Sequence, residues 1–274
     1  MAVVVISRQV GSYGDEIAAL VAGKLGHQLI DQPQVHELAQ RCDLEFKKAC
    51  ALYETELQPG FLESLFFHSP AYTSLFESLT FELAGRGDVV LVGRGAQVVL
   101  KDYPNVFKGR IVAPIEVRAR RIKEQRKVSM EEAREFAQKH DTKRRALLNT
   151  VYHDDLRDWD LFDIVLNTVS YSAEAGAEII CGAVESMEKV PENGTLQEKL
   201  KNMAHAKRIE SVIKKKVITS PYRNISVTFS SEGVATLAGY VQDKRTMAQA
   251  EEIALGVEGV KKVDNTLKTT DLSF

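Results

Sequence analysis

The sequence has few cysteines, and their spacing gives no sign of a disulfide framework or a metal site. Only three of its 274 residues are cysteine, at Cys42, Cys50 and Cys181, and no two of them form a CxxC pair. An odd number of cysteines without CxxC spacing argues against a disulfide scaffold and against a zinc ribbon. The sequence therefore predicts incidental or buried thiols in a reducing compartment.

The chain also lacks a long apolar run and an excess of one charge. The formal net charge is -2, whereas a protein that coats nucleic acid needs a large basic surplus, so no nucleic-acid partner is expected. No segment reaches the ~20 apolar residues of a membrane span. The apolar run from Val3 to Ile6 is too short for a signal peptide, and no basic residue precedes it. These absences predict a cytoplasmic protein.

Buried strands alternate with helices over the first two thirds of the chain. The β-branched run from Ala2 to Ile6 predicts a strand covered on both faces. A polar turn with two glycines follows, and then an amphipathic helix that stops at Gly26. Further strands are predicted at 88–92, 106–112 and 163–166, with helices between them. This order predicts an α/β fold with a parallel sheet wrapped by helices.

A turn-rich break near Pro191 divides the sequence. Beyond it the predicted order is helix, strand, strand, helix, strand. The expected domains are 1–190 and 204–272, with a linker at 191–203. The helix over 195–216 is basic. Such a helix can contact an anionic membrane weakly, but it lacks the aromatic apolar face that insertion requires, and a plain solvated helix is the simpler interpretation.

The turn after the first strand is a candidate phosphate site. Glycines between a strand and a helix point backbone N–H groups at one spot, and the helix dipole adds positive potential there. Gly11 and Gly14 stand in this turn, but the pattern G-x-x-x-x-G-K-[ST] is absent because no lysine follows Gly14. Glycine also serves turn geometry alone, so the glycines by themselves leave phosphate binding and pure architecture equally open.

Several motifs in a fixed order give the first domain a family resemblance. They are Val4 to Gln9 with the glycine turn, Val92 to Ala96, His140-Asp141 with Arg144, and Phe162 to Thr168. Together these motifs resemble the cytidylate kinase-like family over about residues 2–188. The resemblance implies a P-loop-kinase-like sheet, a phosphate loop after the first strand, a mobile lid, and ATP with Mg²⁺ as phosphoryl donor to a nucleoside monophosphate.

The predicted donor site surrounds the glycine turn. It comprises Ser7, Arg8, Gly11, Ser12, Gly14, Asp15 and Glu16, with Ser12 and Glu16 as candidate Mg²⁺ ligands. Phosphoryl transfer mainly needs positive charge around the moving group, and Arg8 is a candidate for the charge that a lysine usually supplies. The competing interpretations are a solvated Arg8, a helix cap at Ser12 and carboxylates favoured by the helix dipole.

The resemblance also assigns an acceptor side and a lid. The candidate acceptor-binding residues are Asp31, Arg94, Asp141 and Arg144, and the candidate catalytic residues are Arg8, Arg118, Arg121, Arg126, Asp141 and Arg144. Arg94 ends a strand, where open α/β sheets bind ligands. Three alternatives stay open: Asp31 as a helix cap, the arginines around 118–126 as a solvated face, and Asp141 with Arg144 as a surface ion pair.

Two positions differ from true cytidylate kinases. Gly14 occupies the position of the P-loop lysine, as is usual for the cytidylate kinase-like family, and Gly95 stands where true cytidylate kinases carry an aspartate that helps to read cytosine. The glycine at 95 weakens the expectation of cytosine specificity. Tyr13 stands where the family usually has a small residue, and its larger side chain is expected to narrow the phosphate loop.

The C-terminal part resembles a BON domain over 205–270. The resemblance is carried by Ile225 to Val227, Gly233 to Val241, Ala248 to Ala254, and Val257 to Asn265. It implies a small α/β domain of order α-β-β-α-β, often linked to phospholipid or another ligand. We expect a regulatory or oligomerising module, with weak phospholipid contact and homo-oligomer formation as its candidate interactions.

Three functions follow from these patterns. The first is a nucleotide kinase that moves the γ-phosphate of ATP to a nucleoside monophosphate, with a CMP-like acceptor. The second is a non-catalytic nucleotide sensor that signals through the BON-like part; the missing lysine favours it, and the retained arginines favour the kinase. The third and weakest is an adaptor at a membrane surface.

Overall fold

The computed structural model describes residues 2–30, 70–152, 158–191, 195–217 and 225–269. The described part of the chain forms two compact units. The first contains residues up to Ile30 and from Arg86 to Pro191, and the second contains residues 70–85 and the chain from Thr195 onward. No helix within the described ranges is long and apolar enough to span a membrane.

The first unit is built on five parallel strands. They are β1 (Val3–Arg8), β2 (Gln28–Ile30), β3 (Val89–Val92), β4 (Val106–Val112) and β5 (Ile164–Asn167), in the order β2-β3-β1-β4-β5. Val4 pairs with Val90 on one side and with Phe107 on the other, so β1 is central. Its residues Val3 to Ile6 are at most 1% exposed, which fits the β-branched run. The predicted α/β fold with a parallel sheet is confirmed.

The helices of both units can be numbered along the chain. They are α1 (Gly14–Leu25), α2 (Pro70–Ala84), α3 (Ala96–Val99), α4 (Ile115–Arg126), α5 (Met130–Tyr152), α6 (Ala173–Ser186), α7 (Leu196–Lys216) and α8 (Lys244–Leu255). A capping box precedes α5: Glu132 N donates to Ser129 Oγ at 3.2 Å, and Ser129 N donates to Glu132 Oε2 at 2.8 Å. Asp31, Cys42 and Cys50 lie outside the described residues.

Helices α1 and α6 bury one face of the sheet. Their side chains Ile17 and Ile180 join Ile6 and Phe107 in one apolar cluster. Cys181 is a free, buried thiol in the same cluster, and burial raises its pKa. Since β1, β3 and β4 are parallel, their carboxyl ends lie at one edge of the sheet, where the glycine turn begins.

The second unit has a smaller sheet. Strands β6 (Ile225–Phe229) and β7 (Val234–Val241) are antiparallel, and β7 pairs in parallel with β8 (Lys262–Asn265) and with β9 (Lys268–Thr269). The predicted order α-β-β-α-β is therefore confirmed from α7 to β8. Strand β8 ends at Asn265, whose Oδ1 accepts a hydrogen bond from Leu267 N at 3.2 Å.

Helix α2 belongs to the second unit although its sequence lies between β2 and β3 of the first. It packs along α7. Its inward side chains Leu79 and Leu83 are fully buried, as is Leu200 of α7.

Candidate functional site

The glycine turn joins β1 to α1 with two left-handed residues. Gly11 has φ 76° and Tyr13 has φ 66°. A residue other than glycine rarely adopts a positive φ, so glycine would be the unstrained choice at position 13, where the chain has Tyr13. Helix α1 then begins at Gly14 with Asp15 and Glu16 in its first turn, where the helix dipole favours negative charge.

Arg8 lies across the start of α1. Its Nε donates to Asp15 Oδ1 at 2.8 Å, and only 9% of its side chain is exposed. A Cβ added at Gly14 would lie 2.2 Å from Arg8 Cβ. The side chain of Arg8 therefore occupies the space beside residue 14, the position at which P-loop proteins carry the lysine.

Arg118 on α4 is buried against the turn. It is 3% exposed, and it forms a two-point ion pair with Asp141 of α5, with Nη2 2.7 Å from Oδ2 and Nη1 3.3 Å from Oδ1. Its Nε donates to Ala113 O at 2.9 Å, and its Nη1 also reaches Val10 O at 3.4 Å. The ion pair thus ties two helices to the glycine turn.

Arg121, one turn further along α4, contacts the same turn. Its Nη1 donates to Gly11 O at 3.3 Å and to Thr168 Oγ1 at 3.0 Å, and its Nη2 donates to Thr168 O at 2.7 Å. Its guanidinium carbon lies 3.7 Å from the centre of the Tyr13 ring. The unusual Tyr13 therefore supplies a stacking surface for one of the predicted lid arginines.

The spacing of Asp141 and Arg144 predicted that these two residues act as a pair. The structure gives Asp141 a partner on another helix, Arg118, while Arg144 Nη1 donates to the carbonyl of Arg8. Both residues still reach the glycine turn, one through Arg118 and the other directly. The i, i+3 spacing places two side chains on one helix face, but it carries no information on contacts with another helix.

Arg126 and Arg94 have other surroundings. The Arg126 guanidinium stacks 3.9 Å above the Phe136 ring, a contact between α4 and α5 that includes no atom of the glycine turn. Arg94 follows β3 with φ 60°, between Gly93 at 71° and Gly95 at 76°. Gly93 N donates to Ile6 O at 2.9 Å, so this left-handed turn is fixed to the end of β1. Asp31 lies outside the described residues.

The residues at the turn fit a magnesium–nucleotide complex in part. In kinases Mg²⁺ keeps several waters and takes phosphate oxygens plus one or two protein oxygens. Glu16 is exposed in the first turn of α1 and fits that role. Ser12 is fully buried, and its hydroxyl donates to Gln9 O at 2.7 Å, with Ile111 O at 3.2 Å. Over the described ranges no three His, Cys, Asp or Glu residues cluster as a metal site of their own.

Two residues at this edge had no role in the sequence prediction. Thr168 is fully buried, and its hydroxyl donates to Ser12 O at 2.9 Å. Arg110 of β4 is 8% exposed, and its Nη1 donates to Ser7 Oγ at 3.2 Å while its guanidinium lies 5.4 Å from the Phe162 ring centre. The rule that ligands bind at the carboxyl ends of strands points to Thr168. No sequence signal marks Arg110, which lies within a strand that was predicted to be buried.

Gly95 is covered by an aromatic ring. A Cβ at this position would lie 2.7 Å from Tyr152 Cε2 and 3.2 Å from Leu148 Cδ2. Together with its positive φ, this leaves no room for the aspartate that true cytidylate kinases carry there.

The chain is similar to known protein families and to curated proteins. The model of the cytidylate kinase-like family matches residues 3–170, and the model of the BON domain matches residues 205–271. The chain is 30% identical to a cytidylate kinase of Pyrobaculum aerophilum over 181 residues, which is 65% of this chain and 90% of the relative. It is also 30% identical to a cytidylate kinase of Pyrobaculum neutrophilum, over 68% of this chain and 96% of the relative.

A solved structure shares the fold. An uncharacterized protein from Eubacterium ventriosum superimposes with a TM-score of 0.53 at 20% identity, covering 68% of this chain and 98% of that one. At this identity the likeness concerns the fold alone.

Proposed function

Because the chain belongs to the cytidylate kinase-like family and carries a BON domain at 205–271, we propose that it is a nucleoside monophosphate kinase that uses ATP with Mg²⁺. The family and the relatives named cytidylate kinase support phosphotransfer between nucleotides. The acceptor and the donor are our proposal.

The observation that carries the proposal is the convergence of three arginines on the glycine turn. Arg118, Arg121 and Arg144 come from two helices, and they donate to the carbonyls of Val10, Gly11 and Arg8. Catalysis of phosphoryl transfer consists largely of placing positive charge around the moving group. Charges that are fixed beside the phosphate-binding turn before the nucleotide arrives require little rearrangement.

The chain's own residues divide the work. The backbone N–H groups of the turn and the start of α1 receive the donor phosphates, and Arg8 supplies the charge of the absent lysine. Arg118, positioned by Asp141, and Arg121 neutralise the transferred group, with Arg126 as a further lid cation. Glu16 is the proposed ligand of Mg²⁺ or its water shell; a bound Mg²⁺ would supply positive charge that offsets the charge of the phosphates.

The acceptor side is proposed to involve Arg94 and Arg144, with Asp31 as a further contact. Arg94 follows β3 at the carboxyl edge of the sheet, where such folds bind ligands. We propose a CMP-like acceptor, although the crowding at Gly95 argues against base reading from that position. Any preference for cytosine must then come from other residues.

A second function is favoured by one specific feature. Gly14 replaces the lysine on which most P-loop enzymes depend. A protein that binds nucleotide without turnover, and reports it through the BON domain, would not need that lysine. We retain this nucleotide sensor as the alternative.

Titration calorimetry with ATP and Mg²⁺, combined with a coupled assay over a panel of nucleoside monophosphates, tests both functions. Arg8→Ala is expected to abolish binding and turnover. Arg134→Ala is the matched control, because Arg134 pairs with the exposed Glu116 at 2.9 Å and contacts no residue of the turn. Binding without turnover on every acceptor would favour the sensor, and no nucleotide binding at all would refute both functions.

A further inference from the structure

Helix α2 belongs by sequence to the kinase-like part of the chain and by packing to the second unit. Its sequence falls inside the stretch that matches the cytidylate kinase-like family, at 3–170. In the structure it is part of the unit that contains the BON domain. Within the described residues, the second unit therefore combines α2, a helix from the kinase sequence, with the C-terminal part of the chain.

A buried polar seam fixes α2 to α7. We define the α2–α7 seam as Ser74, Glu77, Ser78, Lys207, Glu210 and Lys214. Its centre is Glu210, which is 3% exposed. Glu210 Oε2 accepts hydrogen bonds from Ser74 Oγ at 3.1 Å and from Lys214 Nζ at 2.9 Å.

The seam also reaches the sheet of the second unit. Glu210 Oε1 accepts a hydrogen bond from Val227 N of β6 at 3.1 Å. Lys207 Nζ lies 2.9 Å from Glu77 Oε2, and Ser78 Oγ donates to Ala204 O at 2.9 Å. The two carboxylates raise the pKa of Lys207 although burial alone lowers it. A buried polar network of this kind is expensive to break partially, so α2 is firmly held to the BON domain.

The other end of α2 leads directly into the sheet of the first unit. Only the residues 85–88 separate Ala84 from Val89, the first residue of β3. This connection ends at Asp88, whose Oδ1 accepts a hydrogen bond from Ala2 N at 3.0 Å and whose carbonyl accepts one from Gln28 N at 2.8 Å. Because the connection has only four residues and Asp88 is held by these hydrogen bonds, a displacement of α2 would act on the start of β3. Strand β3 then ends at the Gly93–Gly95 turn that carries Arg94.

We propose that the second unit controls acceptor binding through α2: a change in the packing of the α2–α7 seam is transmitted along residues 85–88 and β3 to Arg94. The effect on acceptor binding rests on the proposed kinase function. The transmission from the α2–α7 seam to β3 does not depend on that function. The BON domain is then a regulator that acts on the kinase through a helix of the kinase's own sequence.

The test uses the full chain, a seam variant and a loosened connection. Ser74→Ala removes a fully enclosed hydroxyl of the seam and is a mild change. The second alteration inserts Gly-Ser-Gly-Ser between Arg86 and Gly87, which separates α2 from β3 without touching the seam. The matched control places the same insertion after Asp102, an exposed turn residue between α3 and β4 of the first unit.

Hydrogen exchange of peptides that cover Val89–Val92 is the first measurement, since it needs no enzymatic activity. Ser74→Ala is expected to accelerate exchange in α2 and in β3 by about tenfold, as the loss of one buried hydrogen bond predicts. In the chain with the loosened connection, Ser74→Ala should accelerate exchange in α2 only. The control insertion should leave both effects in place.

Faster exchange in α2 with no change in β3, in the chain of natural length, would overturn the proposal. If Ser74→Ala does not alter exchange even in α2, Lys214→Met replaces it, because Lys214 contacts both Ser74 and Glu210. The KM for the nucleoside monophosphate should rise with β3 exchange while the KM for ATP stays the same. If exchange accelerates in both α2 and β3 but the protein turns over no nucleoside monophosphate, the kinase function is refuted and the coupling between the α2–α7 seam and β3 is supported.

Discussion

The aliphatic part of Arg8 fills the space that a side chain at residue 14 would need. A Cβ at Gly14 would lie 2.2 Å from Arg8 Cβ and 2.6 Å from Arg8 Cγ. Non-bonded carbon atoms do not approach each other so closely, so arginine at 8 and glycine at 14 are linked choices. A cation stands beside the glycine turn in either arrangement, but it comes from the strand here and from the helix in the usual P-loop.

Restoring the P-loop lysine at position 14 alone should therefore fail. We expect Gly14→Lys to destabilise the protein by about 1–3 kcal/mol, as overpacking does, and to lower ATP affinity. The double variant Arg8→Gly with Gly14→Lys should recover stability and nucleotide binding, because the lysine then has room. Urea denaturation and titration calorimetry measure the two effects.

Gly23 provides the matched control for that experiment. It lies on the same helix with no atom within 4 Å of an added Cβ, so Gly23→Lys should be neutral or slightly stabilising. Recovery of binding in Gly14→Lys without the change at Arg8 would contradict the linkage.

The ion pair of Arg118 with Asp141 should be worth more to stability than an exposed pair. Asp141→Asn keeps the shape of the side chain but leaves the buried guanidinium without its anion, which should cost about 1–3 kcal/mol. Turnover should fall as well, because Arg118 loses its orientation. Glu116→Gln, which breaks the exposed pair with Arg134 between the same two helices, should leave the denaturation midpoint nearly unchanged. Equal effects of the two substitutions would argue that burial of Arg118 is unimportant.

The ring of Tyr13 should matter through Arg121. Tyr13→Phe keeps the stacking surface at 3.7 Å and should retain the parent kcat, whereas Tyr13→Leu removes it and should lower kcat more than it changes the KM for ATP. Arg121→Ala should cost about a hundredfold in kcat, in the range found when one charge-stabilising donor is removed. In the Arg121→Ala background, Tyr13→Leu should have little further effect; additive losses would mean that the ring acts independently of the arginine.

Position 95 should not accept the aspartate of true cytidylate kinases. Gly95→Asp places a Cβ 2.7 Å from Tyr152 Cε2 and forces a positive φ of 76° on a side chain. We expect a loss of thermal stability and no gain in selectivity for CMP over other monophosphates in the coupled assay. Gly95→Asp combined with Tyr152→Ala relieves the clash but not the strained φ, so it should recover only part of the stability.

The stability of the second unit should depend on pH through His205. Its ring stacks on Phe229 with 4.8 Å between centroids, and burial, with a smaller contribution from Arg208, lowers its pKa below the ordinary 6.5. The unfolded chain therefore binds a proton more readily than the folded one. Stability should fall as the pH drops through about 6.5 and level off below the lowered folded pKa. His205→Phe keeps an aromatic ring and should reduce this fall; urea midpoints at about pH 8 and about pH 5 measure the difference. An unchanged pH dependence would show that other groups dominate.

Local patterns predicted the parallel sheet and the order of the second unit, because each depends on periodicities within one segment. The strand Val106–Val112 and the helix from Gly14 follow directly from such patterns. The glycine turn was located for the same reason. The partners of its arginines do not follow from such patterns. The i, i+3 spacing points from Asp141 to Arg144, whereas the ion pair of Asp141 is with Arg118, 23 residues earlier.

Contacts between distant segments explain the remaining differences. Nothing in residues 70–84 indicates that Ser74 meets Glu210, 136 residues later. Both side chains have the polarity of a solvated helix face, and only the packing of α2 on α7 makes them a buried network. Arg110 is similar: nothing in its own segment indicates that it contacts Ser7 Oγ and the Phe162 ring.

The wide separation of α2 from α7 bears on how the protein is made. A ribosome adds about 5–20 residues per second, so after Ser74 is synthesised about 7–27 seconds pass before Glu210 follows it, 136 residues later. During that interval the apolar side of α2 cannot yet pack on α7, while β1, β3 and β4 can already pair. The nascent chain would thus leave Leu79 and Leu83 without their contacts on α7 until that helix has been synthesised, which makes α2 a natural place for a chaperone to bind and makes truncation before Lys216 a cause of aggregation.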